Sequence, residues 1–78
     1  MDALPPTPDQ VPTKHLYRVT EAMRLLSLSR SVLYEEMRGG RLGFVKRGKS
    51  RLIPASAIDN YVQLLITETE EELRDQAA

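Results

Sequence analysis

Residues 19–38 read VTEAMRLLSLSRSVLYEEMR, and this segment contains two short helical patterns separated by a brief break. In the first pattern Ala22, Leu25 and Leu26 recur at the spacing of one helix face. They predict a helix over about 19–26. The three residues that follow are too few for anything but a turn.

A second helix is predicted over about 30–38, directly after that turn. Ser29 suits its start, because a serine hydroxyl accepts a hydrogen bond from a free amide of the first helical turn. Leu33 and Met37 lie one turn apart and form its apolar side. Gly39-Gly40 ends it, since glycine adopts the left-handed backbone at no steric cost.

Two short strands and a third helix complete the pattern. The strands are predicted at 42–46 and 51–53, joined by the hairpin-type loop 47–50. The third helix starts at Pro54, because its fixed φ suits a first helical turn. Its predicted buried stripe comprises Ile58, Tyr61, Val62, Leu65 and Ile66. This order predicts a mainly α fold with a small β-hairpin, a winged helix-turn-helix.

The chain divides into three predicted regions. Four of the five prolines lie within the first twelve residues, so residues 1–14 are expected to form a flexible N-terminal arm. Residues 15–67 form the winged helix-turn-helix domain, and residues 68–78 form an acidic tail that extends the last helix or frays. The predicted core comprises Leu25, Leu26, Leu28, Leu33, Met37, Phe44, Ile53, Ile58, Tyr61 and Leu65.

Composition excludes several classes of function. The 78 residues include no cysteine and a single histidine, His15. Disulfides, thiolate zinc sites and thiol nucleophiles are therefore excluded, and we expect neither an enzyme nor a cofactor. No apolar run approaches the ~18–20 residues of a membrane helix, and the polar N-terminus is no signal peptide. A cytoplasmic binding protein that does not bind membranes is expected.

The net charge of zero conceals a strong asymmetry. Residues 14–53 carry a net charge of +7, whereas residues 54–78 carry −5. Four of the cations fall within residues 46–51, where they repel one another unless an anion or solvent screens them. A solvated surface is the alternative, but double-stranded DNA is the partner that such a basic segment favours.

Five motifs occur in order between Tyr17 and Leu65. They are EAMRLL in the first helix, SLSRSVLY across the turn and second helix, RGGRL at its exit, VKRGKSRLIP in the hairpin and AIDNY in the last helix. Together they make this stretch, 49 of the 78 residues, resemble the excisionase-type, MerR-like winged helix-turn-helix family. The resemblance implies an excisionase, which binds and bends attachment-site DNA cooperatively to direct excision, or a small prophage- or plasmid-type transcription regulator.

The resemblance and the helix-turn-helix geometry together imply a set of DNA-binding residues. In the second helix these are Arg30, Ser31, Tyr34, Glu35 and Arg38. In the wing, which is the predicted hairpin of residues 42–53, they are Lys46, Arg47, Lys49 and Arg51. Two less central contacts with the DNA backbone are Arg24 and Arg41. The sequence leaves open whether Arg30 reads a guanine or touches phosphate, and whether Tyr34 contacts DNA or leans onto the core. For Glu35, an acid merely tolerated beside the phosphates is favoured over one that accepts a hydrogen bond from a cytosine amine.

Further partners are expected to assemble on the DNA. No helix long enough for a dimeric coiled coil is evident, so neighbouring copies are expected to associate on DNA rather than in solution. The acidic tail is expected to be a solvated helix end; the alternative is that it contacts the basic face of a neighbouring copy or of a site-specific recombinase (integrase). A different alternative is a protein-interaction module that uses Glu35, Glu36 and the acidic tail, although the four wing cations argue against it.

Overall fold

The computed structural model describes residues 14–77. Its elements are, in order, β1 (Leu16–Arg18), α1 (Val19–Leu26), α2 (Arg30–Arg38), β2 (Val45–Arg47), β3 (Ser50–Pro54) and α3 (Ala55–Ala77). Three helices and a small antiparallel sheet confirm the predicted winged helix-turn-helix. The predicted N-terminal arm, apart from its last residue, lies outside the described residues.

The helix α1 has the predicted bounds, and local residues cap both of its ends. At the start, the backbone amide of Arg18 donates to the Glu21 carboxylate at 2.8 Å. This is half of a capping box, because an arginine side chain cannot accept the return bond. At the end, Ser27 takes a left-handed conformation with φ of 56°, which turns the chain toward α2.

The helix α2 also has the predicted bounds. The Ser29 hydroxyl accepts a hydrogen bond from the amide of Val32 at 3.3 Å, so the predicted N-cap is confirmed. After α2, Gly40 adopts φ of +79°, the left-handed conformation expected of the glycine pair. The turn between α1 and α2 is therefore fixed on one side by the left-handed backbone of Ser27 and on the other by the cap at Ser29.

The sheet has three strands in the order β1-β3-β2, all antiparallel. In its register Tyr17 lies opposite Ile53, and Lys46 lies opposite Arg51. The β2–β3 hairpin turns at Gly48, which adopts φ of +61°. The strand β1 was not predicted, because only its distant partner β3 makes this three-residue segment a strand.

The first predicted strand of the hairpin was too long. The strand begins at Val45 rather than at Leu42. Leu42 is completely buried, and a Cβ atom on Gly43 would lie 3.4 Å from the Cβ of Ala57. The segment therefore packs across α3 before the wing begins.

The core lies between the helices and one face of the sheet. Its buried residues are Ala22, Leu33, Met37, Leu42, Ile53 and Tyr61. Of the predicted core, Leu26, Leu28, Phe44, Ile58 and Leu65 are only partly buried and surround that centre. Leu25 was wrongly placed in the core, since 56% of it is exposed. Val62 and Ile66 are also exposed, so the buried stripe of α3 is narrower than predicted.

The acidic tail is part of α3, which continues to Ala77. The helix begins one residue later than predicted, because Pro54 ends β3. The first amide of α3, on Ala55, donates to the carbonyl of His15 at 2.9 Å, which ties the helix to the start of the sheet. No helix in the described part of the chain is both long and apolar enough to cross a membrane.

Candidate nucleic-acid interface

The outer face of α2 carries all five side chains that were predicted there. Arg30, Tyr34 and Arg38 are four residues apart and form one row, because a helix brings i and i+4 to the same side. Ser31 and Glu35 form the adjacent row. All are exposed except Tyr34, which is half-buried. A continuous, largely polar face therefore lies beside the buried side of α2.

The wing distributes its four predicted cations over both faces of the hairpin. Lys46 and Arg51 form a cross-strand pair, so their side chains lie on the same face. Arg47 lies on the other face, and Lys49 occupies the turn. Lys46, Arg47 and Lys49 are exposed, whereas Arg51 is half-buried. Three of the four wing cations are thus freely accessible to a polyanion.

The fourth cation joins the wing to α2. The Arg51 guanidinium lies 5.3 Å from the ring centroid of Tyr34 and 5.1 Å from that of Phe44. Both distances are within the ~6 Å over which a cation and an aromatic ring attract. Tyr34, Phe44 and Arg51 line one hollow together with Met37 and Arg38. The structure therefore brings Tyr34, Arg38 and Arg51 together at the junction of the wing and α2.

Two residues beside the wing were missed by the sequence reasoning. Arg18 and Thr20, at the start of α1, line a second hollow with Tyr34, Lys49 and Arg51. The available signal was a cation immediately before a helix, where the helix N-terminus also favours anions. We add Arg18 and Thr20 to the candidate interface.

Arg41 is engaged within the protein. Its Nη1 and Nη2 atoms donate to the Glu68 carboxylate at 2.6 and 2.8 Å. Its Nε atom donates to Oε2 of Glu36 at 3.1 Å, and the hydroxyl of Tyr61 donates to the same oxygen at 2.5 Å. These contacts join α2, the loop after it and α3. They weigh against Arg41 as a DNA contact, which stays a prediction. They also occupy Glu36, one of the two acids on which the protein-interaction alternative relied.

The same four side chains perturb one another's ionisation. The hydrogen bond from Tyr61, followed by that from Arg41, lowers the pKa of Glu36. Burial and the bond to Glu36 raise the pKa of Tyr61 to about 12. The hydrogen bond from Arg41 lowers the pKa of Glu68. All three shifts favour the state in which both carboxylates are ionised and the phenol is protonated.

Residues 16–63 match the family model described as a helix-turn-helix domain. The chain belongs to this helix-turn-helix family. A protein named "Probable excisionase" from Saccharopolyspora erythraea is 36% identical over 59 residues, which cover 76% of this chain and 60% of that relative. No solved structure matches the chain significantly. The excisionase-type resemblance seen in the motifs is confirmed, and its MerR-like character stays a prediction.

Membership of this family gives the elements their roles. In a helix-turn-helix protein the second helix lies in the major groove of DNA and the first helix crosses the backbone. The helix α2 occupies the position of the second helix in this motif, and the wing lies beside its exposed face. The family supports DNA binding rather than enzymatic chemistry. Within residues 14–77, no group of three or more His, Asp or Glu side chains could hold a metal ion.

Proposed function

We propose that this protein is an excisionase, a recombination directionality factor that binds attachment-site DNA and directs site-specific excision. The observation that carries the proposal is the exposed face of α2 beside a wing with three accessible cations. The similarity to a relative named as a probable excisionase supports the same function. This chain spans about 60% of that relative, so the complete activity is part of the proposal.

Sequence recognition is assigned to the start of α2. Arg30 and Ser31 occupy its first turn, where side chains reach base edges in the major groove. Arg30 can donate two hydrogen bonds to O6 and N7 of guanine, which discriminates against other bases by ~1–3 kcal/mol. Lys46, Arg47 and Lys49 bind backbone phosphates and set the register of α2 on the duplex.

Bending is assigned to several copies on adjacent sites. A single module buries only ~600–1,000 Å² on DNA and therefore binds with modest specificity. Copies bound side by side strengthen binding and share the cost of deforming the duplex. The acidic end of α3 suits the basic face of the neighbouring copy, and a site-specific recombinase is a further partner. Such a complex belongs with the nucleoid in the cytoplasm.

The test is a salt titration of binding measured by fluorescence anisotropy. The duplexes are an attachment-site arm and a promoter from the protein's own genetic element, together with an unrelated duplex. If six phosphates are neutralised, log K falls against log salt with a slope of about −5. Changing Lys46, Arg47 and Lys49 to alanine removes three contacts and should flatten that slope by about 2.7. Arg74→Ala, near the end of α3, is the control for loss of a cation elsewhere.

The three duplexes separate the competing functions. Tight, cooperative binding to the attachment-site arm supports the excisionase. Preference for the promoter duplex would instead identify a transcription regulator that uses the same helix and wing. Binding to none of the duplexes, at any salt concentration, would refute the DNA-binding function.

A further inference from the structure

We propose that Arg51 is a positioning residue that sets the sequence preference of α2, rather than a phosphate contact like its neighbours in the wing. It would do so by fixing the ring of Tyr34 on the outer face of α2. The proposal rests on the DNA-binding function proposed above. Arg51 differs from the other three wing cations because its guanidinium contacts aromatic rings of the protein itself.

The contacts of Arg51 lie inside the protein. Its guanidinium is 5.3 Å from the Tyr34 centroid and 5.1 Å from the Phe44 centroid, so it lies near two aromatic rings. It is half-buried, whereas Lys46 and Lys49 are exposed. A guanidinium suits this place, because it is planar and more weakly hydrated than an ammonium group.

The position of Tyr34 makes this contact relevant to recognition. Tyr34 is one helical turn beyond Arg30 and lies in the same row on α2. It borders both hollows of the candidate interface, and Arg51 borders both with it. Movement of Arg51 would free the Tyr34 ring at the surface where base edges are read.

Phosphate binding and positioning predict different losses of DNA affinity when the residue is replaced. A phosphate contact contributes equally on every duplex, and its removal lowers the salt slope by about 0.9. A positioning residue contributes mainly on the preferred sequence, and its removal leaves the slope almost unchanged. The two roles are therefore distinguished by the ratio of specific to non-specific affinity together with the slope.

The experiment compares Arg51→Gln with Lys49→Gln. Affinity is measured on a duplex selected by the wild-type protein from a randomised pool and on an unrelated duplex, each across a salt series. We expect Arg51→Gln to lose about tenfold on the selected duplex, as for a cation–π contact of ~1–2 kcal/mol, with little loss on the unrelated one. Lys49→Gln should weaken both equally and reduce the slope.

Two further variants test the contact itself. Phe44→Leu removes one ring without substituting any predicted DNA-binding residue, and it should lower the same affinity ratio. Arg51→Lys keeps the charge and should fall between the wild type and Arg51→Gln. In NMR spectra of the free protein, ring currents should shift the side-chain protons of Arg51 upfield, and Phe44→Leu should reduce that shift. Thermal unfolding shows whether each variant is folded.

Several results would overturn the proposal. Equal losses of Arg51→Gln on both duplexes, with a slope reduced like that of Lys49→Gln, would make Arg51 a phosphate contact. An unchanged affinity ratio, or the absence of the NMR shift in the wild type, would also refute it. Failure of the wild-type protein to bind any duplex would instead refute the proposed function, and with it this role.

Discussion

At the scale of single residues, the most informative contact is the one that joins Glu36 and Tyr61. Tyr61 is almost completely buried, and its hydroxyl donates to the Glu36 carboxylate at 2.5 Å. Hydrogen bonds to charged groups are stronger than those between neutral groups. Since Arg41 and Glu68 complete the network, this contact holds α2 in a fixed position on α3.

The first prediction concerns Tyr61→Phe. The variant should lower the free energy of unfolding at neutral pH by about 2 kcal/mol, because the lost bond is to a charged group. The folded-state pKa of Tyr61 is raised from 10.0 to about 12, so folding favours the protonated phenol. This contribution is fully present below pH 10 and is lost as the pH rises toward 12. Urea unfolding from pH 8 to 11.5 should show a steeper alkaline loss in the wild type than in Tyr61→Phe.

A matched control is available for that experiment. Tyr17→Phe removes a hydroxyl from the sheet rather than from this network, so it controls for the general effect of losing a phenol. Identical pH profiles for the wild type and Tyr61→Phe would contradict the role given to the bond with Glu36.

At the scale of elements, the turn between α1 and α2 depends on the cap at Ser29. The second prediction is that Ser29→Ala lowers the free energy of unfolding by about 1 kcal/mol, because the amide of Val32 loses its acceptor. Ser29→Gly should cost only a few tenths of a kcal/mol, since glycine is itself a good N-cap. Ser56→Ala, at an exposed serine in the first turn of α3, is the control. Equal stability of the alanine and glycine variants at position 29 would contradict this role.

The elements also show where sequence reasoning succeeds. The bounds of α1 and α2 were predictable because they follow from local features: apolar spacing, the cap at Ser29 and the glycines after Arg38. The strand β1 was not, because Tyr17 becomes part of a strand only through pairing with Ile53 on β3. Leu42 gave an apolar strand signal but lies buried in the segment that crosses α3.

The candidate site also combines features that the local sequence predicts with contacts that depend on the fold. The exposed cations of α2 and the wing were predictable from charge density, helical spacing and the resemblance to the excisionase-type family. The proximity of the Arg51 guanidinium to two rings was not, since Tyr34, Phe44 and Arg51 come from different parts of the fold. The pairing of Arg41 with Glu68 was not predictable either, because it depends on how α3 packs. From charge alone, Arg41 was assigned to DNA binding and Glu68 to the acidic tail.

At the scale of the whole molecule, charge is separated along the chain. The basic segment 14–53 contains α2 and the wing, whereas the net charge of −5 in residues 54–78 lies mostly toward the end of α3. Zero net charge therefore coexists with two surfaces of opposite sign. Such a molecule can bind DNA with one end and attract the DNA-binding face of a neighbour with the other.

The third prediction tests this arrangement through Glu70, Glu71 and Glu72, which are exposed on α3. Changing all three to glutamine should abolish cooperative binding to a duplex with two adjacent sites, a gain we expect to be about tenfold in the wild type. Affinity for a duplex with one site should be equal or higher, because negative charge near DNA is removed. Gel-shift titrations on the one-site and two-site duplexes measure both quantities.

Salt provides the internal check on that prediction. The attraction between an acidic helix end and a basic wing is exposed to solvent, and the Debye length shortens from ~10 Å at 0.1 M to ~3 Å at 1 M salt. Cooperativity in the wild type should therefore fall as the salt concentration rises. The triple variant should lack cooperativity at every salt concentration, as the wild type does at high salt. Cooperativity that survives both the substitution and the salt would have to come from apolar contacts between copies or from the bent duplex itself. The acidic end of α3 would then have no part in assembly.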